Sequence, residues 1–256
     1  MRESTLRWFR YLLVAWVCLW ASTAQSREPL RVAVASNFAA TAELVAKEFT
    51  AETDQDIELI ISSTGKLYAQ ILRGAPFDIF MSADLKRPAM LRDAGLSDEP
   101  VIYAEGVLAL WSKAPRVAGK GCSEEELLNS AGRVVIANPE VAPYGEAAEA
   151  VLSDPRLASL VDGKLVRSES VGQAYSLVAM DAVDVGLVSF SQVIQFKGAE
   201  GHCVIPVDPA RHAPIQQAAA MLSADKLAAK QFINFLQTPK MLELVINAGY
   251  GGGRAK

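Results

Sequence analysis

The chain is poor in residues that do covalent or metal chemistry. Its 256 residues include only two histidines and three cysteines. Both histidines, His202 and His212, lie close together late in the chain, away from the segments singled out below, and no Gly-x-Ser-x-Gly elbow occurs. A Ser-His-Asp set is therefore not expected. His202, Cys203 and His212 can be drawn as a metal site, but their spacing fits no usual ligand set. A surface loop with one structural cysteine is the simpler reading. A phosphate loop is missing too. Thr64-Gly65-Lys66 echoes the end of one, yet Ile60 stands where its first Gly belongs and Leu67 where its magnesium-binding hydroxyl belongs. Positive charge is not in excess: 25 Lys and Arg against 29 Asp and Glu leave a net charge of −4. That balance argues against a nucleic-acid partner, which favours a basic face.

Long apolar runs are lacking as well, apart from the N-terminus. Arg2, Arg7 and Arg10 precede the apolar stretch Tyr11–Trp20, and Ser22-Thr23-Ala24 follows. This is the pattern of a cleaved signal peptide, with cleavage expected after Ala24. The stretch is too short for a span, which needs about 20 residues. A lipoprotein anchor at Cys18 is disfavoured by the Trp and Val before it. Residues 1–24 carry three Arg and one Glu, so their removal takes the net charge from −4 to −6. The exported chain keeps Cys122 and Cys203, which either pair or remain separate thiols in an oxidising compartment.

What is present is a repeated strand–cap–helix rhythm. Leu30–Ala35 reads as a buried strand that stops at Ser36-Asn37, and helical spacing begins at Phe38. Ile57–Ile61 is a second strand, stopping at Ser62-Ser63-Thr64-Gly65 before a helix through Leu67, Ile71 and Leu72. Asp78–Met81 is a third, with Asp84 expected to cap the helix to Ala94. Such units build a parallel α/β sheet with crossover helices. Val101–Trp111, broken only at Glu105-Gly106, is long enough to pass from one domain into another. Further strands are expected at Val134–Ala137, Leu165-Val166, Val185–Val188 and Cys203–Val207, with helices from near Gly145 and from Ser170. Gln216–Leu222 is a strand able to return the chain to the first domain. Helices over Ala224–Leu236 and Pro239–Ala248 follow, and the tail from Gly251 is expected to fray.

In open parallel sheets, ligands bind beyond the carboxyl ends of strands, at helix N-termini. Four places have that character: Ser36-Asn37, Ser63-Thr64, Pro143-Tyr144-Gly145 and Ser170-Val171. Each Ser or Thr is, taken singly, an ordinary helix cap. Four placed alike on two halves point instead to one shared cleft. Hydroxyls and free backbone N–H groups there form a neutral anion cradle.

Ala33–Phe38, Ser63–Ile71, Gly74–Asp84 and Asn138–Gly145 together resemble the periplasmic molybdate-binding proteins of bacterial molybdate ABC transporters. The run Gly74-Ala-Pro-Phe-Asp-Ile-Phe-Met-Ser-Ala-Asp84 is the most specific segment. The resemblance implies an α/β, two-lobed periplasmic binding protein fold, each lobe a mostly parallel sheet flanked by helices, with a two-strand hinge. The signal peptide would then be residues 1–24. One lobe would comprise residues 25–103 and 213–256, the other 104–212. It implies no enzyme activity and no cofactor. The ligand would be molybdate or tungstate, and the partner an inner-membrane permease with its ATPase. The protein would be a periplasmic monomer.

The resemblance assigns a hydroxyl ligand to Ser36, with the Asn37 N–H beside it. A second hydroxyl and N–H fall at Thr64, or at Ser63 should the register shift by one. Backbone N–H groups fall at Tyr144 and Val171. Family members often add a tyrosine hydroxyl where this chain has Ser189, a shorter side chain, so either the fifth contact is absent or the lobes close differently. The oxyanion itself would be held through Ser36, Thr64, Tyr144 and Val171. Lys66 reads as solvated charge and not a ligand. A tetrahedral dianion must shed its hydration, which placed neutral donors can replace without a buried cation. The rival readings are the same fold carrying sulfate or thiosulfate, or a periplasmic hydrolase.

Overall fold

The structure is a computed structural model that describes residues 28–115, 122–198 and 201–251. The expected signal segment 1–24 and the tail beyond Gly251 lie outside them. Strand β1 (Leu30–Ala35) leads through a short 3-10 turn, Ser36–Phe38, into α1 (Ala39–Thr53). Thr41, Ala42, Val45 and Phe49 fall on one buried face of α1, the spacing of a helix laid on a sheet. Then follow β2 (Ile57–Ser62), α2 (Thr64–Leu72), β3 (Ile79–Ser82), α3 (Lys86–Asp93) and β4 (Val101–Gly106). Asp84 Oδ1 accepts from Arg87 N at 2.9 Å, so Asp84 does cap the start of α3.

The chain changes sheets at Val107. Strand β5 (Leu108–Pro115) opens the second lobe, followed by α4 (Glu124–Ser130), β6 (Val134–Ala137), α5 (Pro143–Leu152) and α6 (Pro155–Val161). Next come β7 (Leu165–Ser168), α7 (Val171–Ala179), β8 (Val185–Ser189), α8 (Phe190–Ile194) and β9 (His202–Pro206). Helix α5 begins two residues before the expected Gly145, because Pro143 supplies a helical φ and lacks the N–H that a first turn leaves unpaired. Strand β10 (Ile215–Met221) returns the chain to the first sheet, and α9 (Leu227–Leu236) and α10 (Pro239–Asn247) complete it.

The two sheets share one plan. Their orders are β2-β1-β3-β10-β4 and β7-β6-β8-β5-β9. In each, three parallel strands adjoin one strand running the other way, β10 in the first sheet and β5 in the second, and the edge strand beyond it, β4 or β9, runs with the trio again. The sheets are thus mixed, and the parallel trio of each carries the crossover helices. Phe38, Val45, Phe49, Phe232 and Phe235 pack one face of the first sheet, and Leu67, Ile71, Phe80 and Leu91 pack the other. The second-lobe core, built on Trp111, Val135 and Leu187, extends across the junction to Ala35, Ala83 and Ile215. Cys122 and Cys203 form a disulfide with Cα atoms 5.7 Å apart, tying β9 to the segment before α4. This resolves the cysteine alternatives in favour of pairing and removes Cys203 from any metal set.

Candidate functional site

The carboxyl ends of both parallel trios face each other across a small cavity. From the first lobe it is lined by Ser36 and Asn37 after β1, Ser63 and Thr64 after β2, and Ala83 after β3. From the second it is lined by Ala142, Pro143 and Tyr144 at the start of α5, and by Val171 at the start of α7. Six of the seven candidate residues therefore meet at one place. Its free room is about 10 Å³, the space of a single water-sized body. The described residues that line it carry no charge.

The hydroxyls at this cavity differ in state. Ser36 Oγ accepts from Gly172 N at 3.1 Å, a bond between the lobes. Thr64 Oγ1 accepts from Ala83 N at 3.1 Å. In both, the oxygen takes an N–H and its own proton stays free to donate. Ser63 occupies the cap position of α2 yet makes no cap bond, and its Oγ is buried without a partner. Ser170 is the contrast: its side chain accepts from Gln173 N as an ordinary cap. Asn37 Nδ2 donates to Gln217 Oε1 at 3.0 Å, while its Oδ1 is buried and unpartnered. Buried polar atoms without partners cost roughly 1–3 kcal/mol each, which a suitable ligand recovers.

Ser189, the seventh candidate, is not on the cavity. It is fully buried, and its hydroxyl donates to the Tyr144 hydroxyl at 3.0 Å and lies 2.8 Å from Ser191 Oγ. The Tyr144 ring spans from the cavity wall to Ser189, so the short side chain supports a tyrosine from a neighbouring element. Burial pushes the Tyr103, Tyr144 and Tyr250 phenols up, which keeps them protonated donors.

The lobes are in close contact around the cavity. Gly65 N donates to Val141 O at 2.8 Å, and Arg87 Nη2 donates to Glu140 O at 3.1 Å. Asp84 pairs with the same guanidinium. A side chain on Gly65 would put its Cβ 2.9 Å from Val141 Cα, and one on Gly172 would come 2.9 Å from Ser36 Cβ. Glycine is required at both because backbone meets the other lobe. Lys66 Nζ lies 2.5 Å from Glu169 Oε2 at the mouth, where a larger cleft of about 670 Å³ opens beside the cavity. Lys66 lines that cleft and not the small cavity. The closure glycines and the Arg87–Glu140 contact were missed in the sequence. Gly65 and Gly172, each just inside a cap segment, were the available signal.

Residues 30–251 match the family model for bacterial extracellular solute-binding proteins. The molybdate-binding protein ModA of Rhodobacter capsulatus is 38% identical over 85% of this chain and 86% of its own. ModA of Azotobacter vinelandii is 35% identical over 91% and 93%. The solved Azotobacter vinelandii periplasmic molybdate-binding protein superposes with a TM-score of 0.79 at 34% identity, over 87% of this chain and 98% of that one. With that fold, a donor-lined cavity between its lobes and these relatives, the chain belongs to the bacterial extracellular solute-binding proteins, in the family of the molybdate-binding proteins.

Proposed function

We infer that this protein captures molybdate or tungstate between its lobes and delivers it to an inner-membrane permease driven by an ATPase. It is a carrier and not an enzyme, and the anion is its cargo and not a cofactor. One observation carries the choice of ligand: an uncharged cavity where the Ser36 and Thr64 hydroxyl oxygens already accept N–H groups and the Ser63 hydroxyl has no partner, leaving their protons free for an incoming acceptor. Such a site suits a fully deprotonated oxyanion. An anion that still carries a proton must donate it, and finds few acceptors there.

In this reading the donors are the Ser36 and Ser63 hydroxyls and the backbone N–H groups of Asn37, Thr64, Tyr144 and Val171. Between Ser63 and Thr64, the unpartnered Ser63 Oγ favours Ser63 as the principal hydroxyl. Thr64 adds its N–H at the start of α2 and a hydroxyl steadied by Ala83. Ser189 drops from the set and acts through Tyr144. The Ser36–Gly172 bond is the one that the anion exchanges for its own contacts as it enters. The lobes are drawn as residues 25–103 with 213–256, and 104–212; β4 keeps the chain in the first sheet to Gly106, three residues past that boundary, and the hinge is set at Val107 and between β9 and β10. Export by a signal peptide over residues 1–24, a periplasmic location and a monomeric state belong to the same reading.

Calorimetric titration of the purified protein tests it. Molybdate and tungstate are expected to give saturating heats at micromolar concentration, and sulfate and phosphate are not. Heat from sulfate alone would move the protein to another oxyanion, and no heat from any of the four would overturn the reading.

A further inference from the structure

Behind the cavity lies a buried amide that serves no donor role in the site. Gln217 sits on β10 where the register against β4 shifts, and it is fully buried. In a strand that is otherwise mostly small and apolar, a buried amide is costly unless its groups are bonded. Gln217 Oε1 accepts from Asn37 Nδ2 at 3.0 Å and from the Tyr103 hydroxyl at 3.1 Å. Its Nε2 donates to the Tyr144 hydroxyl at 3.3 Å. Asn37 belongs to the first-lobe wall of the cavity and Tyr144 to the second-lobe wall. Gln217 itself does not line it.

Building on the oxyanion reading above, we propose that Gln217 is a positioning residue that fixes the spacing of the two walls and thereby the discrimination between large and small tetrahedral oxyanions. Both ends of the strut are held. The Tyr250 hydroxyl donates to Asn37 O at 2.8 Å, steadying the first wall. Ser189 holds the Tyr144 hydroxyl from the other side. A Cβ on Gly106, the last residue of β4, would fall 2.4 Å from Tyr144 Oη and 3.0 Å from Gln217 Nε2, so the crossing strand packs directly on the same pair. The strut stands between the lobes, on one of the two strands by which the chain passes from sheet to sheet. Linked, hydrogen-bonded buried groups resist displacement more than isolated pairs do. When the walls part to admit the anion, a tie of this kind limits how far apart they stand, and an anion too small to reach both walls at that spacing loses donors.

Gln217→Met removes the amide at similar volume, and Gly106→Ala crowds the Tyr144 hydroxyl and, behind it, the amide, without removing either. Molybdate affinity is measured by calorimetry on the full exported chain, sulfate by competition against molybdate, and folding by thermal melting without ligand. Both variants are expected to melt cooperatively and to bind molybdate about tenfold more weakly, the loss of one buried bonding partner. Sulfate should weaken less, so the molybdate-to-sulfate ratio narrows. Equal losses for both anions would indicate a merely structural role and overturn the proposal. So would an unchanged ratio, or sulfate that fails to compete in wild type and variants alike. Should both variants fail to fold, Tyr103→Phe removes one bond to Oε1 and leaves the walls intact, and the same ratio decides. A wild type that binds none of these anions would instead overturn the oxyanion reading on which the proposal stands.

Discussion

The two walls of the cavity are made of different chemistry. The first-lobe wall presents side chains: Ser36, Asn37, Ser63 and Thr64, each just after a parallel strand. The second-lobe wall presents backbone at the first turns of α5 and α7, through Tyr144 and Val171. The sheets have the same strand plan, so topology alone does not produce the difference. It comes from the caps. On the first lobe a serine at a cap position keeps its hydroxyl for the cavity, whereas on the second lobe Ser170 spends its hydroxyl on Gln173 N. Substitution should therefore damage the first wall through its polar atoms, and the second wall only through its shape.

The largest effect is expected where the walls must touch. Gly65→Ala drives a Cβ into the Val141 backbone, but only when the lobes are together. Overpacking of this kind costs about 2–3 kcal/mol, on the order of a hundredfold in affinity. The melting temperature of the unliganded protein should move little, because the lobes can part without unfolding. Calorimetry and a thermal melt check the pair of outcomes. Full molybdate affinity in Gly65→Ala would mean that the walls do not close on each other when the ligand is held.

Next in size is the contrast between the walls. Ser63→Ala should lose about 1.5 kcal/mol of binding, the typical value of a hydrogen bond to a charged group. Val171→Ala keeps its N–H, so affinity should change by less than about 0.5 kcal/mol while stability falls by roughly 1–2 kcal/mol from the cavity left in the core. Titration and denaturant melts of the two variants separate these outcomes. If Val171→Ala loses more binding than Ser63→Ala, the distinction between a side-chain wall and a backbone wall fails.

The first wall was legible in the sequence and the second only in part. Ser36 and Ser63 end β-branched apolar runs and precede helical spacing, which local pattern reveals. The choice of Thr64 over Ser63 turned on which hydroxyl points inward, and spacing does not carry that. The placement of Ser189 off the cavity was beyond local pattern for a related reason. Its hydroxyl is engaged by Tyr144, which reaches it from a different helix. Gln217 and Tyr250 were invisible as site residues, because their role depends on contacts over 180 and 213 residues of sequence. The parallel strands with their crossover helices were readable as alternating strands and helices. The single reversed strand in each sheet, β10 and β5, was not, since strand direction follows from where the chain crosses between lobes.

The network behind both walls carries its own pH signature. Burial raises the phenols of Tyr103, Tyr144 and Tyr250 above the usual tyrosine range. The folded chain therefore keeps protons that the unfolded chain gives up above about pH 10. The contribution to stability is complete below that pH and is lost as pH rises toward the folded values. Denaturant melts on either side of pH 10 should show falling stability. Stability that holds or rises would mean that the phenols ionise without cost and are not confined behind the cavity.

The smallest effect is expected at the Lys66–Glu169 ion pair, which joins the walls at the mouth. Lys66 and Glu169 lie 2.5 Å apart, with side chains 45% and 73% exposed. Water and salt screen such a pair, and holding two long side chains together costs entropy, so its worth is below about 1 kcal/mol. Lys66→Met and Glu169→Gln should each change molybdate affinity by a few-fold at most. The change should shrink further in about 1 M salt, where the screening length falls to roughly 3 Å. Titrations of both variants at low and high salt check this. A large, salt-sensitive loss would mean that charge at the mouth, and not donors in the cavity, holds the lobes on the anion. The chemistry argues otherwise: a cation at the cavity wall would attract any anion, whereas neutral donors at fixed positions favour only one that fits them.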